Sequence, residues 1–187
     1  MRITGGQVKG RTITSPKGMD IRPTSDQVRE AIFNIIGQDL SGQKVLDLFA
    51  GTGSLGLEAL SRGAAAAFFV DNSKQSISLI KKNLTVCGYQ HFGIILKKNL
   101  KKAITGKDPQ LKGIFNLVFL DPPYGKGLIP LLIEGLLAGA LISSGSCVVA
   151  ESSKTDVLPG SLKNLVLIKT KGYGDTRISI YEYEANK

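Results

Sequence analysis

From residue 43 onward, short apolar runs alternate with stretches of helical spacing. Val45-Leu46-Asp47-Leu48-Phe49, Ala66-Ala67-Phe68-Phe69-Val70, Phe92 to Leu96, Phe115-Asn116-Leu117-Val118-Phe119-Leu120 and Cys147-Val148-Val149-Ala150 are near-continuous hydrophobic segments of strand length. Such segments suit strands buried on both faces of a parallel sheet. Between them, Ser54 to Ser61, Ser73 to Val86 and roughly Ile129 to Leu137 have helical spacing. A further helix is predicted from about Ser25: Ser25 or Thr24 caps it, Val28, Ile32, Phe33, Ile35 and Ile36 form its apolar face, and Gly37 ends it. The pattern then changes. Leu165 to Lys169 and Arg177 to Tyr183 are strands with no room for a helix between them, and Gly172-Tyr173-Gly174-Asp175 reads as a hairpin turn. The prediction is an α/β fold: a mostly parallel, seven-stranded sheet ending in an antiparallel hairpin. Residues 1–20 differ from the rest. Arg2-Ile3-Thr4 and Arg11-Thr12-Ile13-Thr14, separated by Gly5, Gly6 and Gly10, read as a small basic β-ribbon preceding a domain of residues 21–187.

Composition narrows the class. A chain of 187 residues with 42% hydrophobic residues can bury one full core. Its net charge of +9, from 24 Lys and Arg against 15 Asp and Glu, suits a phosphate-rich partner, although charge alone is also explained by solubility. Cys87, Cys147 and His91 are too few for a tetrahedral zinc site without carboxylates, so no metal is expected. Reduced cysteines, and an N-terminus without an apolar signal segment, suit a cytoplasmic protein. The longest apolar stretch, Leu128 to Ile142, is interrupted by Pro130, Glu134, Gly135 and Gly139 and is too short to span a bilayer.

The first chemical motif is Asp47-Leu48-Phe49-Ala50-Gly51-Thr52-Gly53-Ser54-Leu55-Gly56, a strand feeding a glycine loop that opens a helix. In an open α/β sheet, ligands bind beyond the carboxyl ends of the strands, where this loop lies. Asp71 closes the second strand, where a carboxylate can accept hydrogen bonds from ribose hydroxyls, and Asn72 follows it. Gly51, Gly53 and Gly56 also match the dinucleotide fingerprint, so an NAD-dependent oxidoreductase is a rival reading. A carboxylate at Asp47 opposes a pyrophosphate and suits the zwitterionic tail of S-adenosylmethionine. Phe49, Ala50, Gly51, Thr52, Gly53, Asp47, Asp71 and Asn72 are the candidate cofactor residues.

The second motif, Asp121-Pro122-Pro123-Tyr124, follows the fourth strand. Two prolines fix the turn and hold the Asp121 carboxylate and the Pro122 carbonyl in place. An exocyclic base amine is a poor nucleophile, because its lone pair is delocalised into the ring. Two acceptors on its N–H groups favour a more tetrahedral nitrogen. Tyr124 offers a ring on which a base can stack, and the ring rather than the hydroxyl is expected to carry that role. Asp121, Pro122, Pro123 and Tyr124 are therefore the candidate catalytic residues.

These motifs, together with Arg22-Pro23-Thr24-Ser25-Asp26-Gln27-Val28-Arg29-Glu30-Ala31-Ile32-Phe33-Asn34, make the chain resemble the RsmD family of bacterial 16S rRNA guanine-N2 methyltransferases. The resemblance runs essentially end to end. It implies a Rossmann-like class I methyltransferase fold, S-adenosylmethionine as cofactor with S-adenosylhomocysteine as product, and a flipped-out guanine held by Asp121 to Tyr124. It implies 16S rRNA, in the small ribosomal subunit or an assembly intermediate, as partner to a monomer. It also suggests RNA contacts at Lys9, Arg11, Arg22, Pro23, Thr24 and Arg29. The family usually carries Asp after the third strand; here Asn99 is the candidate for the adenine amine, its amide oxygen being able to accept. Lys81-Lys82, Lys97-Lys98 and Lys101-Lys102 read as solvated faces. The competing substrates for the same motif are DNA adenine and protein glutamine, whose methyltransferases usually place Asn where Asp121 stands.

Overall fold

The computed structural model describes residues 1–16, 25–100, 109–111, 113–156 and 158–184. Arg22, Pro23 and Thr24, and the pair Lys101-Lys102, lie outside these residues. The chain forms two compact units, Met1–Lys98 and Asn99–Lys187.

The first unit contains α1 (Asp26–Ile36), β1 (Lys44–Leu48), α2 (Ser54–Ser61), β2 (Ala66–Asp71), α3 (Lys74–Cys87) and β3 (Gly93–Lys97). Its strands are parallel in the order β3-β2-β1, with Leu48 opposite Val70 and Asp71 opposite Lys97. Val45, Leu46, Leu48, Ala67, Phe69 and Val70 are buried, as their unbroken hydrophobic runs require. Ser25 caps α1 by accepting from the Val28 amide, and Ser73 caps α3 by accepting from the Ser76 amide.

The N-terminal segment is a short antiparallel ladder, with a single Arg2–Thr12 bridge, rather than two regular strands. It is bound to the helices of this unit. Gln7 donates its amide to the Ser61 carbonyl, and the Ser61 hydroxyl donates to the Gly5 carbonyl at 2.6 Å. Thr4 donates its amide to Glu58 Oε1 at 2.7 Å. Asn83 ties Thr14 to the carbonyl of Thr52, with its oxygen accepting from the Thr14 amide and its nitrogen donating to both carbonyls.

Glu58 is fully buried between two guanidinium groups. Arg62 Nη1 donates to its Oε2, and Arg29 Nε lies 3.4 Å from its Oε1. Arg29 also donates to the Arg2 carbonyl and to Asp26, and the Arg62 guanidinium stacks 4.1 Å from the centre of the Phe33 ring. The expected role of Arg29 as an RNA contact is corrected here: its side chain is 0% exposed and committed to internal partners.

The second unit contains β4 (Leu117–Leu120), α4 (Leu128–Ala138), β5 (Cys147–Ser153), β6 (Ser161–Leu162), β7 (Leu165–Tyr173) and β8 (Thr176–Tyr183). The order is β4-β5-β8-β7-β6; β4 and β5 are parallel and the rest antiparallel. The two units thus carry eight strands among the described residues: the seven expected plus the two-residue β6, too short to leave a hydrophobic pattern. The closing hairpin turns tightly at Gly174 and Asp175. No helix among the described residues is long and apolar enough to cross a membrane.

Removing the carboxylate of Glu58 leaves Arg29 and Arg62 buried without their shared counter-charge. Breaking one partner of such a buried pair typically costs about 3–5 kcal/mol. Glu58→Ala is therefore expected to lower the free energy of unfolding by that order in a urea titration; a loss within experimental error would show that the network is not what holds the ribbon to the helices.

Candidate active site

In the first unit the glycine loop leaves β1 through Phe49, which takes a left-handed backbone conformation with φ 61°. Such a conformation is uncommon for a bulky residue and marks a constrained turn. The Ala50 amide bonds to the Val70 carbonyl, and the Gly53 amide to the Ala50 carbonyl, so the loop folds onto β2. Gly51 and Gly53 both have positive φ, but for different surroundings. A Cβ at Gly51 would meet only the Phe49 carbonyl, at 3.8 Å, and otherwise open space. A Cβ at Gly53 would press on Phe69 and Ile80 at 3.2–3.3 Å, and one at Gly56 would overlap the Phe69 ring. Gly51 thus leaves bare backbone for a ligand, while Gly53 and Gly56 let α2 pack against β2.

Asp71 holds the loop from β2. Its Oδ2 accepts from the Gly51 amide at 2.9 Å and its Oδ1 from the Ser73 amide at 2.8 Å. A carboxylate oxygen has two lone pairs, so each retains capacity for a further donor such as a ribose hydroxyl. Asn72 beside it is exposed, Thr52 is buried with its carbonyl bound by Asn83, and Asn99 is exposed just beyond β3. Within the first unit, Asp71 and the loop fit S-adenosylmethionine: Asp71 would hold the ribose and the Gly51 backbone the adjoining chain.

Asp47 lies on β1, near the start of the glycine loop. It is buried, and its Oδ2 accepts from the Gly56 amide at 3.0 Å, in the first turn of α2. Burial pushes its carboxyl up to about 7; the Gly56 amide pulls it down in part, and the negative charge of Asp71 pushes it further up. It thereby satisfies one free amide in the first turn of α2.

In the second unit, Pro122 is buried and Pro123 and Tyr124 are exposed, with Asp121 half-buried at the end of β4. Pro122, Pro123 and Tyr124 line a cavity of about 280 Å³. Its remaining wall includes Lys126, the start of α4, Glu151, Ser152, Asp156 and Leu158. The segment after β5 is fastened to the hairpin: Lys154 donates its amide to the Asp175 carbonyl, Arg177 Nη1 donates to the Asp156 carbonyl, and the Tyr181 hydroxyl to the Pro159 carbonyl.

Tyr124 is bound through its hydroxyl as well as presented through its ring. The hydroxyl donates to Glu151 Oε1 at 2.8 Å and lies 3.2 Å from Thr176 Oγ1. Burial, followed in size by the negative charge of Glu151 among the raising causes, holds its phenol above the usual range, and the Thr176 contact opposes this. Glu151 was not among the candidate residues. The signal was present, because Glu151 closes the apolar run Cys147–Ala150 just as Asp71 and Asp121 close theirs.

A family model described as "Conserved hypothetical protein 95", the RsmD family, matches residues 1–182. The chain belongs to this family. A curated relative from Bacillus subtilis, "Putative rRNA methyltransferase YlbH", is 35% identical over 97% of this chain and 98% of its own. "Ribosomal RNA small subunit methyltransferase D" of Escherichia coli K12 is 32% identical over 99% of this chain and 91% of its own. Among solved structures, a conserved hypothetical protein of Streptococcus pyogenes matches with TM-score 0.77 and 42% identity, covering 84% of this chain and 96% of its own. The fold of this family member is accordingly that of the Rossmann-like class I methyltransferases.

Asp47→Asn keeps an acceptor for the Gly56 amide but cannot ionise. The wild-type carboxyl is raised in the folded state, so its contribution to stability is full below its unfolded pKa of 3.8 and is lost as pH rises through about 7. Without ligand, the variant should melt above the wild type at pH 8, and the gap should close towards pH 4; a gap independent of pH would contradict the shift. Tyr124→Phe leaves the ring but frees it from Glu151, so kcat/KM for RNA should fall, by at most about ten- to a hundredfold if the whole of a charged hydrogen bond's roughly 1.5–3 kcal/mol goes into presenting the ring. A wild-type kcat/KM in Tyr124→Phe would leave the role to the ring alone.

Proposed function

We propose that this protein transfers a methyl group from S-adenosylmethionine to the exocyclic N2 amine of a guanine in small-subunit ribosomal RNA. Membership of the family and the names of its relatives support rRNA methylation with this cofactor. The observation that supports the finer reading is the cavity lined by Pro122, Pro123 and Tyr124, directly after Asp121, with Glu151 and Asp156 in its wall. Guanine presents N1–H and N2–H₂ donors side by side, which carboxylates complement. Adenine presents an N1 acceptor, which carboxylates oppose.

The bound cofactor supplies an electrophilic methyl group on its sulfonium. The protein's part is to hold the amine. Asp121 accepts one amine N–H, the Pro122 carbonyl accepts another, and Tyr124 stacks on the base and fixes its plane. With the cofactor bound, the amine nitrogen held by Asp121 and the Pro122 carbonyl would take the methyl group from the sulfonium, which would leave as a neutral thioether, and the proton given up by the nitrogen would pass to the Asp121 carboxylate that accepts its N–H. Positioning accounts for most of the rate, because no strong base is needed before attack. A base in duplex or stacked RNA reaches such a cavity only by leaving its stack. Lys9 and Arg11, exposed on the docked ribbon, extend the basic surface available to the RNA backbone.

Asp121→Ala removes one acceptor and leaves the Pro122 carbonyl and the Tyr124 ring. The single-turnover rate at saturating cofactor should fall by several orders of magnitude, with the affinity for S-adenosylhomocysteine little changed. The substrate is checked by incubating small-subunit particles from a methylation-deficient strain, followed by nucleoside mass spectrometry. N2-methylguanosine is expected. N6-methyladenosine as the product, or a rate within tenfold of wild type for Asp121→Ala, would overturn this account of the amine site.

A further inference from the structure

The β7–β8 hairpin carries positive charge that neither the glycine loop nor the cavity uses. Lys169 and Lys171 are exposed on β7, and neither forms an ion pair among the described residues. Their position follows from strand register. Opposed residues in an antiparallel pair present their side chains on one face of the sheet. Lys171 stands opposite Ile178, which stands opposite Glu151. Tyr173 stands opposite Thr176, which stands opposite Ser153. Lys169, Lys171, Thr176 and Glu151 therefore share one face, and Glu151 and Thr176 are the two residues that hold the Tyr124 hydroxyl.

Lys171 lies two strands from Glu151, or about 10 Å at the usual strand spacing. That is the scale on which a flipped nucleotide carries its neighbours' phosphates beside its own pocket. The cavity wall carries two acids, Glu151 and Asp156, against one base, Lys126, so it favours a phosphate less than the lysines of β7 do. Among the described residues, β6 pairs with β7 at Leu165 and Val166 alone, so no strand described covers the outer edge of β7 beside the lysines. Lysines on an open edge also discourage unwanted strand pairing. That role alone does not require them on the face that holds Tyr124.

We propose that Lys169 and Lys171 bind the phosphates of nucleotides flanking the target base, making the open part of β7 a second RNA-binding surface apart from the N-terminal ribbon. The inference rests on the RNA-methyltransferase reading above. The test uses the full chain with Lys169→Gln and Lys171→Gln together, which keeps the edge polar, and with both residues changed to Glu. Binding to protein-free small-subunit RNA is measured across a salt series, alongside S-adenosylhomocysteine affinity and melting temperature.

The Gln pair should bind RNA more weakly and show a log–log salt slope shallower by about 1.4, because each single-strand phosphate contact contributes roughly 0.7. The Glu pair should bind more weakly still. The apparent KM for RNA should rise with little change in kcat, and cofactor affinity and melting temperature should stay at wild-type values. A salt slope equal to wild type in both variants would overturn the proposal. So would unchanged binding to protein-free RNA with activity lost only on protein-containing particles, which would assign the surface to a ribosomal protein. If the wild type itself showed no salt-dependent RNA binding, the RNA reading would fail and this inference with it.

Discussion

A carboxylate taken out of water must find enough donors to replace its hydration, and Glu58 finds them in three parts of the chain: Arg29 of α1, Arg62 at the end of α2, and the Thr4 amide of the N-terminal ladder. Each guanidinium would be as costly alone as the carboxylate. The three charges can be buried only together, and their burial fixes the ladder, α1 and α2 as one body. Since α2 begins where the glycine loop ends, the same network sets the frame in which Gly51 and Asp71 meet. The ladder is thus part of the first unit's architecture, and it presents Lys9 and Arg11 from a fixed base.

The strands and helices were legible because buried parallel strands need unbroken apolar runs and capped helices need Ser25 and Ser73. What pattern could not convey was pairing over distance. Arg29 sits among polar residues near a basic ribbon, and nothing local marks Glu58, 29 positions later, as its partner. Asp47 and Asp71 read alike in sequence, each an acid beside the glycine loop. The difference is in their donors. Asp71 receives two amides at the loop's edge, whereas Asp47 is enclosed under the first turn of α2.

Asp121 to Tyr124 were legible as a motif, because two prolines after an apolar strand admit few other readings. The anchoring of Tyr124 was not. It depends on Thr176, 52 residues away on β8, which register places beside Ser153 and one row from Glu151. The loop after β5, fastened by Arg177 and Tyr181, completes the cavity wall by the same long-range means.

The fixed hydroxyl of Tyr124 also bears on the entropy of substrate capture. An exposed tyrosine free to change rotamer must give up that freedom when a base settles on it, and the loss weakens binding. Tyr124 is 42% exposed, yet its far end is already tied to a buried carboxylate and a buried hydroxyl. Its rotamer is chosen when the second unit folds, so an arriving base meets a platform already set and the ordering cost falls on the folding of the protein rather than on the encounter with RNA.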